Sequence, residues 1–277
     1  MDQKGKFEAL KSLHEEEGIF VIANAWNGGS ARILTALGYK ALATTSAGFA
    51  FSIGYRDSAM GLARDQVLQN AREIVEASAL PVSGDLEEGF GPAPEDCVKT
   101  VEMATEIGLV GGAIEDATGD HSDPIFDFNL AVDRIAAASE TARALSFFLT
   151  ARSENFLYGR PDLDDTIRRL VAFEEAGADV LYAPGLPSLE AIREVCSAVT
   201  KPVNVVMGLT EPKLTVDQLR AAGVNRISVG GSFARAALGG FMRAAEEVLE
   251  HGTFDYASDA LPDPVAASYM LDKKRVV

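Results

Sequence analysis

The stretch from Pro81 to Asp116, PVSGDLEEGFGPAPEDCVKTVEMATEIGLVGGAIED, decides the fold. A short apolar run ends in Asp85, a turn rich in Gly and Pro follows, Pro94 opens a helical pattern, and a second apolar run closes on Glu115. Strand, helix and strand at this spacing predict two parallel strands joined by a crossover helix. The alternation continues in both directions. Strands are predicted near Ile19 to Asn24, Ala41 to Thr45, Pro81 to Asp85, Gly111 to Glu115, Phe147 to Arg152, Val180 to Tyr182, Pro202 to Val206 and Arg226 to Val229. Ser30, Asp65, Pro94, Asp162, Ser188, Thr215 and Ser232 are of the kinds that start helices, and Leu37-Gly38, Ala176-Gly177 and Ala222-Gly223 mark helix ends. Eight βα units in one uninterrupted chain favour a closed (β/α)8 TIM barrel. The alternative, a doubly wound open sheet, is weakened because no GxGxxG turn follows the first strand.

At 277 residues and 47% hydrophobic, the chain suffices for one barrel domain over its whole length. Its first residues, MDQKGKFEALKSLHEEEG, are charged and lack an apolar signal core, and no apolar run approaches the ~18 residues that cross a membrane. A cytoplasmic protein is expected. Cys97 and Cys196 both fall in predicted helices, outside any CxxC pair or disulfide framework, and read as packing residues. A net charge of -16 argues against nucleic acid and anionic membranes as partners. An acidic chain that binds an acidic ligand must supply positive charge locally, from a cation or a placed arginine.

In barrels of this kind chemistry sits where strands end. Alternation along a strand puts Asp85 and Glu87 on one face, and Glu115 ends the neighbouring strand. Three carboxylates gathered at a mouth repel one another, and a bound Mg2+ or Mn2+ relieves that repulsion. Glu88 and Asp116 read as solvated acids at loop ends. Arg152 ends the fifth strand, in TARSENF, where it suits bidentate capture of a carboxylate or an ion pair with Glu154. After the second strand, TTSAGFAFSIGYRDS offers backbone N–H groups at Ser46 and Ala47 to an anionic group, and Asp57 lies beyond on a loop able to cover the mouth. No lysine projects from the inner end of a strand, since Lys40 and Lys201 precede theirs and Lys213 lies in a loop, so a Schiff-base aldolase fits poorly. A phosphate-binding barrel is a further alternative, because VGGSFARAAL provides a Gly-Gly turn before a helix.

Together these stretches resemble the isocitrate lyase and phosphoenolpyruvate mutase superfamily from about Phe20 to Gly240. IANAWNGGSARILTALGYKAL looks like its first βα unit, DLEEGFG its DADxGYG motif, IED its acidic fourth strand, and ARSEN its ARTDA or ARTEA motif. The resemblance implies Asp85, Glu87 and Glu115 as Mg2+ ligands, Arg152 with Thr45, Ser46 and Ala47 as binders of a substrate carboxylate, and Asp85 as a further substrate-binding residue. It implies that Asp57 faces metal and substrate. It also places polar residues near Asn204, a further candidate pocket residue, and commonly brings a C-terminal helix exchanged between subunits.

Two departures narrow the expectation. Glu87 stands where the family has aspartate, one methylene shorter. The loop after the fourth strand, DATGDHSDPIFDFN, lacks the KKCGH or KRCGH segment of isocitrate and methylisocitrate lyases, so those two activities are not expected. Nor does it resemble the asparagine-bearing gate of phosphonopyruvate-processing members. His121 in that loop is a candidate for proton transfer, with Tyr55, Tyr158 and Tyr182 as other donors. The expected function is carbon–carbon lysis or decarboxylation of a small 2-oxo or 2-hydroxy acid through a metal-stabilised enolate. The alternatives are a 2-oxo acid-binding protein with little turnover and a carbon–phosphorus mutase or hydrolase. The tail, residues 251–277, carries apolar residues with no strand left to cover, and a homodimer or homotetramer is expected.

Overall fold

The computed structural model describes residues 1–16, 18–57, 61–208 and 212–271. Eight strands close in chain order into a parallel barrel: β1 (Phe20–Asn24), β2 (Leu42–Ala43), β3 (Val82–Asp85), β4 (Gly111–Glu115), β5 (Phe148–Arg152), β6 (Val180–Tyr182), β7 (Val203–Val206) and β8 (Arg226–Ser228). Closure is made by β8 on β1, with Phe20, Val21 and Ile22 opposite Arg226, Ile227 and Ser228. Crossovers are supplied by α2 (Gly28–Ala36), α3 (Ser46–Ser52), α4 (Arg64–Ala77), α5 (Pro94–Glu106), α6 (Phe128–Leu145), α7 (Leu163–Glu175), α8 (Leu189–Ala198) and α9 (Val216–Ala221). After β8 come α10 (Ser232–His251), a 3-10 turn at Asp255–Ser258, and α11 (Asp263–Tyr269), which lies beside α2. Every predicted strand is present. β2 is shorter than expected because Thr45 leaves the sheet to cap α3, its Oγ1 accepting the Gly48 N–H at 3.3 Å.

Helix starts follow from local hydrogen bonding. Asp162, Ser188 and Thr215 cap α7, α8 and α9 by accepting the N–H three residues on, as their positions in the sequence suggest. Ser30 instead lies inside α2. Asn27 is the cap, and the two side chains exchange bonds with each other's backbone N–H. The outward faces of the strands and the inward faces of the helices form the main core, with Leu42, Ile74, Val101, Leu149, Phe173 and Ile227 all buried. Gly112 on β4 leaves room for Leu86, because a Cβ there would lie 2.5 Å from Leu86 Cδ1.

Helix α1 (Gln3–Glu15) lies under the barrel, where Leu10 packs with Ile22, Ala41, Val110, Phe148 and Val180 near the strand starts. Phe7 and His14 add ring contacts to Phe148, and Lys6 Nζ donates to the Ser78 carbonyl at 3.0 Å. With the lower end plugged, access is from the upper end. Small inward residues, Ala43, Ser83 and Ala113, replace the bulky branched side chains that usually fill such barrels, and a cavity of about 750 Å³ opens there. Among the described residues no helix is long and apolar enough to cross a membrane.

Candidate active site

Asp85 ends β3 and is held from three sides. Its N–H donates to Thr44 Oγ1 (2.8 Å), and its Oδ2 accepts from both the Ser46 N–H (3.0 Å) and the Ser46 hydroxyl (2.9 Å). Its Oδ1 accepts from Arg152 Nη1 at 3.1 Å. Beyond Asp85 the backbone is no longer extended. Glu87 has φ +51, a left-handed conformation that costs a non-glycine residue about 1–3 kcal/mol and is concentrated at functional sites. That turn buries Leu86 completely while Asp85 and Glu87 both line the cavity. The convergence expected from strand alternation is therefore achieved by a turn.

Glu115 ends β4, and its N–H donates to the Glu87 carbonyl at 3.0 Å, which locks the two acidic segments together. Arg152 ends β5 opposite Glu115. Its Nη1 reaches Glu115 Oε2 at 3.1 Å as well as Asp85, while its Nε and Nη2 lie 2.9 and 2.8 Å from Glu154 Oε1. The guanidinium rests over the Tyr182 ring, 5.0 Å from its centre. Arg152 thus joins three carboxylates, including the Glu154 pairing that the sequence had offered as one of two roles.

The electrostatics match this crowding. Burial, then repulsion from Asp85, pushes the Glu87 carboxyl up to about 8. Burial likewise drives Glu115 well above the usual carboxylate range, against the pull of Arg152, and raises Glu154. Asp57 sits at the rim of the same cavity, solvent-exposed on one side, and is raised by partial burial and by Asp85. Among the described residues, no three His, Cys, Asp or Glu side chains stand close enough to enclose a metal ion by themselves. A closed cage is not what Mg2+ requires, since it keeps several waters and takes one or two carboxylates. Asp85, Glu87 and Glu115 are hard oxygen donors facing one cavity, with ionisation penalised at Glu87 and Glu115, and in this respect they fit a divalent cation.

The other expected residues divide. Ser46, Ala47, Thr45 and His121 line the cavity, His121 from the exposed loop after β4. Ser46 gives both donors to Asp85, and Thr45 caps α3. Asn204 also lines the cavity, but its side chain is engaged by Arg226 Nε (2.8 Å) and Ser228 Oγ (3.0 Å). Tyr158 and Tyr182 line it, with burial raising both phenols, whereas Tyr55 is exposed. Cys97 and Cys196 lie in α5 and α8.

Glu88 and Asp116 are not solvated, contrary to expectation. Both are buried: Arg134 Nη2 donates to the Glu88 carbonyl, and Asp116 accepts the Glu154 N–H at 2.8 Å and Arg169 Nη1 at 3.3 Å. Asp116 thereby orients the segment that carries Glu154. Asn24 was not singled out by the sequence. Its Oδ1 accepts the N–H groups of Val229 and Gly230 at 2.9 and 3.0 Å, which occupies donors that the phosphate-binding alternative would need.

An eight-stranded parallel barrel whose strand ends gather carboxylates around one arginine defines a class: TIM barrels with an acid-lined mouth. The chain belongs to the phosphoenolpyruvate mutase/isocitrate lyase superfamily, since the family model described as phosphoenolpyruvate phosphomutase matches residues 10–249. It is similar to a candidate lyase/mutase from Burkholderia cenocepacia J2315, with 52% identity, a TM-score of 0.94 and 96% of each chain covered. It is 29% identical to 2-methylisocitrate lyase of Escherichia coli strain K12 over 78% of this chain and 75% of that one. A 2,3-dimethylmalate lyase structure, 24% identical with a TM-score of 0.85 over 96% and 95% of the two chains, has the same fold.

Proposed function

We propose that this protein is a Mg2+-dependent carbon–carbon lyase or decarboxylase acting on a small 2-oxo or 2-hydroxy carboxylate. The observation that carries the reading is the meeting of Asp85, Glu87, Glu115 and Arg152 in one cavity at the strand ends. Asp85, Glu87 and Glu115 would hold the cation, which would supply Lewis-acid stabilisation of the negative charge that develops on the substrate oxygen. Arg152, held by Glu154, Asp85 and Glu115 and backed by Tyr182, would turn the donor capacity that these acids leave to the substrate carboxylate. The plugged lower end keeps bulk water to one side of the site. His121, Asp57 and the protonated phenols of Tyr158 and Tyr182 are the groups able to move a proton at the departing or newly formed carbanion centre.

Relatives described as 2-methylisocitrate lyases support this class. Methylisocitrate cleavage itself is a weaker match, because neither cysteine of this chain lies in the loop after β4. A Burkholderia cenocepacia relative described as a candidate phosphonomutase, 33% identical with a TM-score of 0.79 over 87% of this chain and 99% of that one, keeps carbon–phosphorus chemistry as the second reading. Both are tested by incubating Mg2+-loaded protein with a panel of 2-oxo, 2-hydroxy and phosphono acids and following 1H and 31P NMR. New products from a carbon acid are expected. Binding without turnover across the panel would replace the lyase by an oxo-acid-binding protein, and a moving phosphorus signal would replace it by the second reading.

A further inference from the structure

Arg226 opens β8 inside the barrel and lines the same cavity as the mouth acids, yet among the described residues none of its hydrogen-bond partners is charged. Its Nε donates to Asn204 Oδ1 (2.8 Å), its Nη2 donates to Thr150 Oγ1 (2.9 Å), and its Nη1 faces His14 Nε2 at 3.4 Å. His14 is an acceptor there, because its Nδ1 lies 2.8 Å from the Leu10 carbonyl and must carry the proton. Burial and the facing guanidinium push the His14 pKa down to about 3, so the imidazole adds no charge of its own. Two other buried arginines are matched by acids, Arg152 by Asp85, Glu115 and Glu154, and Arg169 by Asp116 and Asp165, while buried Arg134 donates to the backbone carbonyls of Glu88 and Gly91. A guanidinium stays ionised in a protein, and a buried charge without a counter-ion is costly.

The remaining capacity of Arg226 faces usable space. Its three contacts occupy three of the five N–H donors a guanidinium carries, leaving one on each Nη. Thr150 and Arg152 are two residues apart on β5, so Arg226, bonded to Thr150, lies one layer below the mouth arginine, about 6–7 Å along the strand. Between the layers Ala43, Ser83 and Ala113 leave the cavity open.

We propose that the floor of the cavity is a second ligand subsite, in which Arg226, its fork fixed by Asn204 and Thr150, holds a carboxylate-sized monoanion. Two sources share that chemistry: a free small anion, and the far carboxylate of a ligand whose oxo-acid end occupies the mouth. The second source rests on the proposed function; the first does not.

Formate is the probe, added to metal-free wild-type protein while the His14 ring signals are followed by NMR. A saturable shift is expected, since His14 Nε2 faces the guanidinium that would take the anion. In Arg226→Gln, which keeps a hydrogen-bonding side chain and loses the charge, formate affinity is expected to fall by at least about tenfold, the loss of one hydrogen bond to a charged group. His14 signals that stay unmoved in the wild type overturn the subsite, whether or not the variant folds. Equal formate affinity in wild type and Arg226→Gln also overturns it. A second arm compares pyruvate with oxaloacetate in the presence of Mg2+. Loss of oxaloacetate affinity alone in Arg226→Gln identifies the far carboxylate as the natural anion, and unchanged affinity for both acids identifies a free one. Absence of lyase activity touches neither formate result.

Discussion

At Arg152 a single guanidinium is shared by Asp85, Glu115 and Glu154, so its charge is balanced before any ligand arrives. Arg152→Lys keeps the charge and loses the fork. It is expected to weaken pyruvate or oxalate binding by about tenfold or more while Mg2+ affinity changes little, measured by calorimetry on each ligand separately. Asp85→Asn tests the acids: Mg2+ affinity should fall by at least about tenfold and turnover should vanish, with the circular dichroism of the barrel unchanged. Oxalate that binds equally well with and without chelator, and equally well to Asp85→Asn, would remove the cation from the centre of the site. Asp85, Glu115 and Arg152 were legible in the sequence because each is the last residue of a strand, where position alone announces the mouth. Glu88, Asp116 and Arg226 were not. Their burial depends on partners far along the chain, Arg134 and Arg169 on helices, Thr150 on another strand, and His14 in α1, 212 residues from Arg226.

Helix α1 shows the same limit one level up. Charged in its sequence, it carries Phe7, Leu10 and His14 on one face, spaced by three and four residues, and that face needs a barrel floor to become visible as a core stripe. Strands were easier, because a short apolar run between turn residues means much the same in any parallel barrel. His14 makes α1 sensitive to acid. Its folded pKa of about 3 lies below the unfolded value near 6.5, so the unfolded chain binds the extra proton between these values. Stability from this group is complete above pH 6.5 and is lost as pH falls toward 3, at up to about 1.4 kcal/mol per pH unit. The buried carboxyls Glu87, Glu115 and Asp116, raised in the folded chain, pull the total slope the other way, so the test is a difference: in urea melts from pH 4 to 7 the wild type should lose stability toward acid relative to His14→Gln, by up to that amount per pH unit. At the start of α7, Asp162→Ala removes the bond to the Asp165 N–H and should cost about 1 kcal/mol, lowering Tm by roughly 2–4 °C. An unchanged Tm would mean that α7 is held by Arg169 and its acids rather than by its cap.

Over the whole molecule, apolar surface is concentrated in α10 and the tail. Phe241 is 70% and Leu249 87% exposed, and Met242, Phe254, Leu261 and Leu271 extend the patch. Six of the expected tail residues, 272–277, lie outside the described part. We expect this surface to be covered by a second copy, as a dimer or a tetramer made from two dimers, with the tail exchanged between subunits. Light scattering at micromolar concentration should give at least twice the 29.4 kDa chain mass, and Phe241→Asp combined with Leu249→Asp should reduce it to a monomer. A wild-type monomer under those conditions would leave the patch unexplained. The ring itself imposes an order in time. The Asn24 Oδ1 on β1 waits for its donor until Val229 has been made, 205 residues later, which is roughly 10–40 s of ribosome travel at about 5–20 residues per second. For that interval the growing chain carries an open β1 edge, so a slow stretch of message or a scarce chaperone should harm this protein through aggregation of the unfinished ring, with the finished one unaffected.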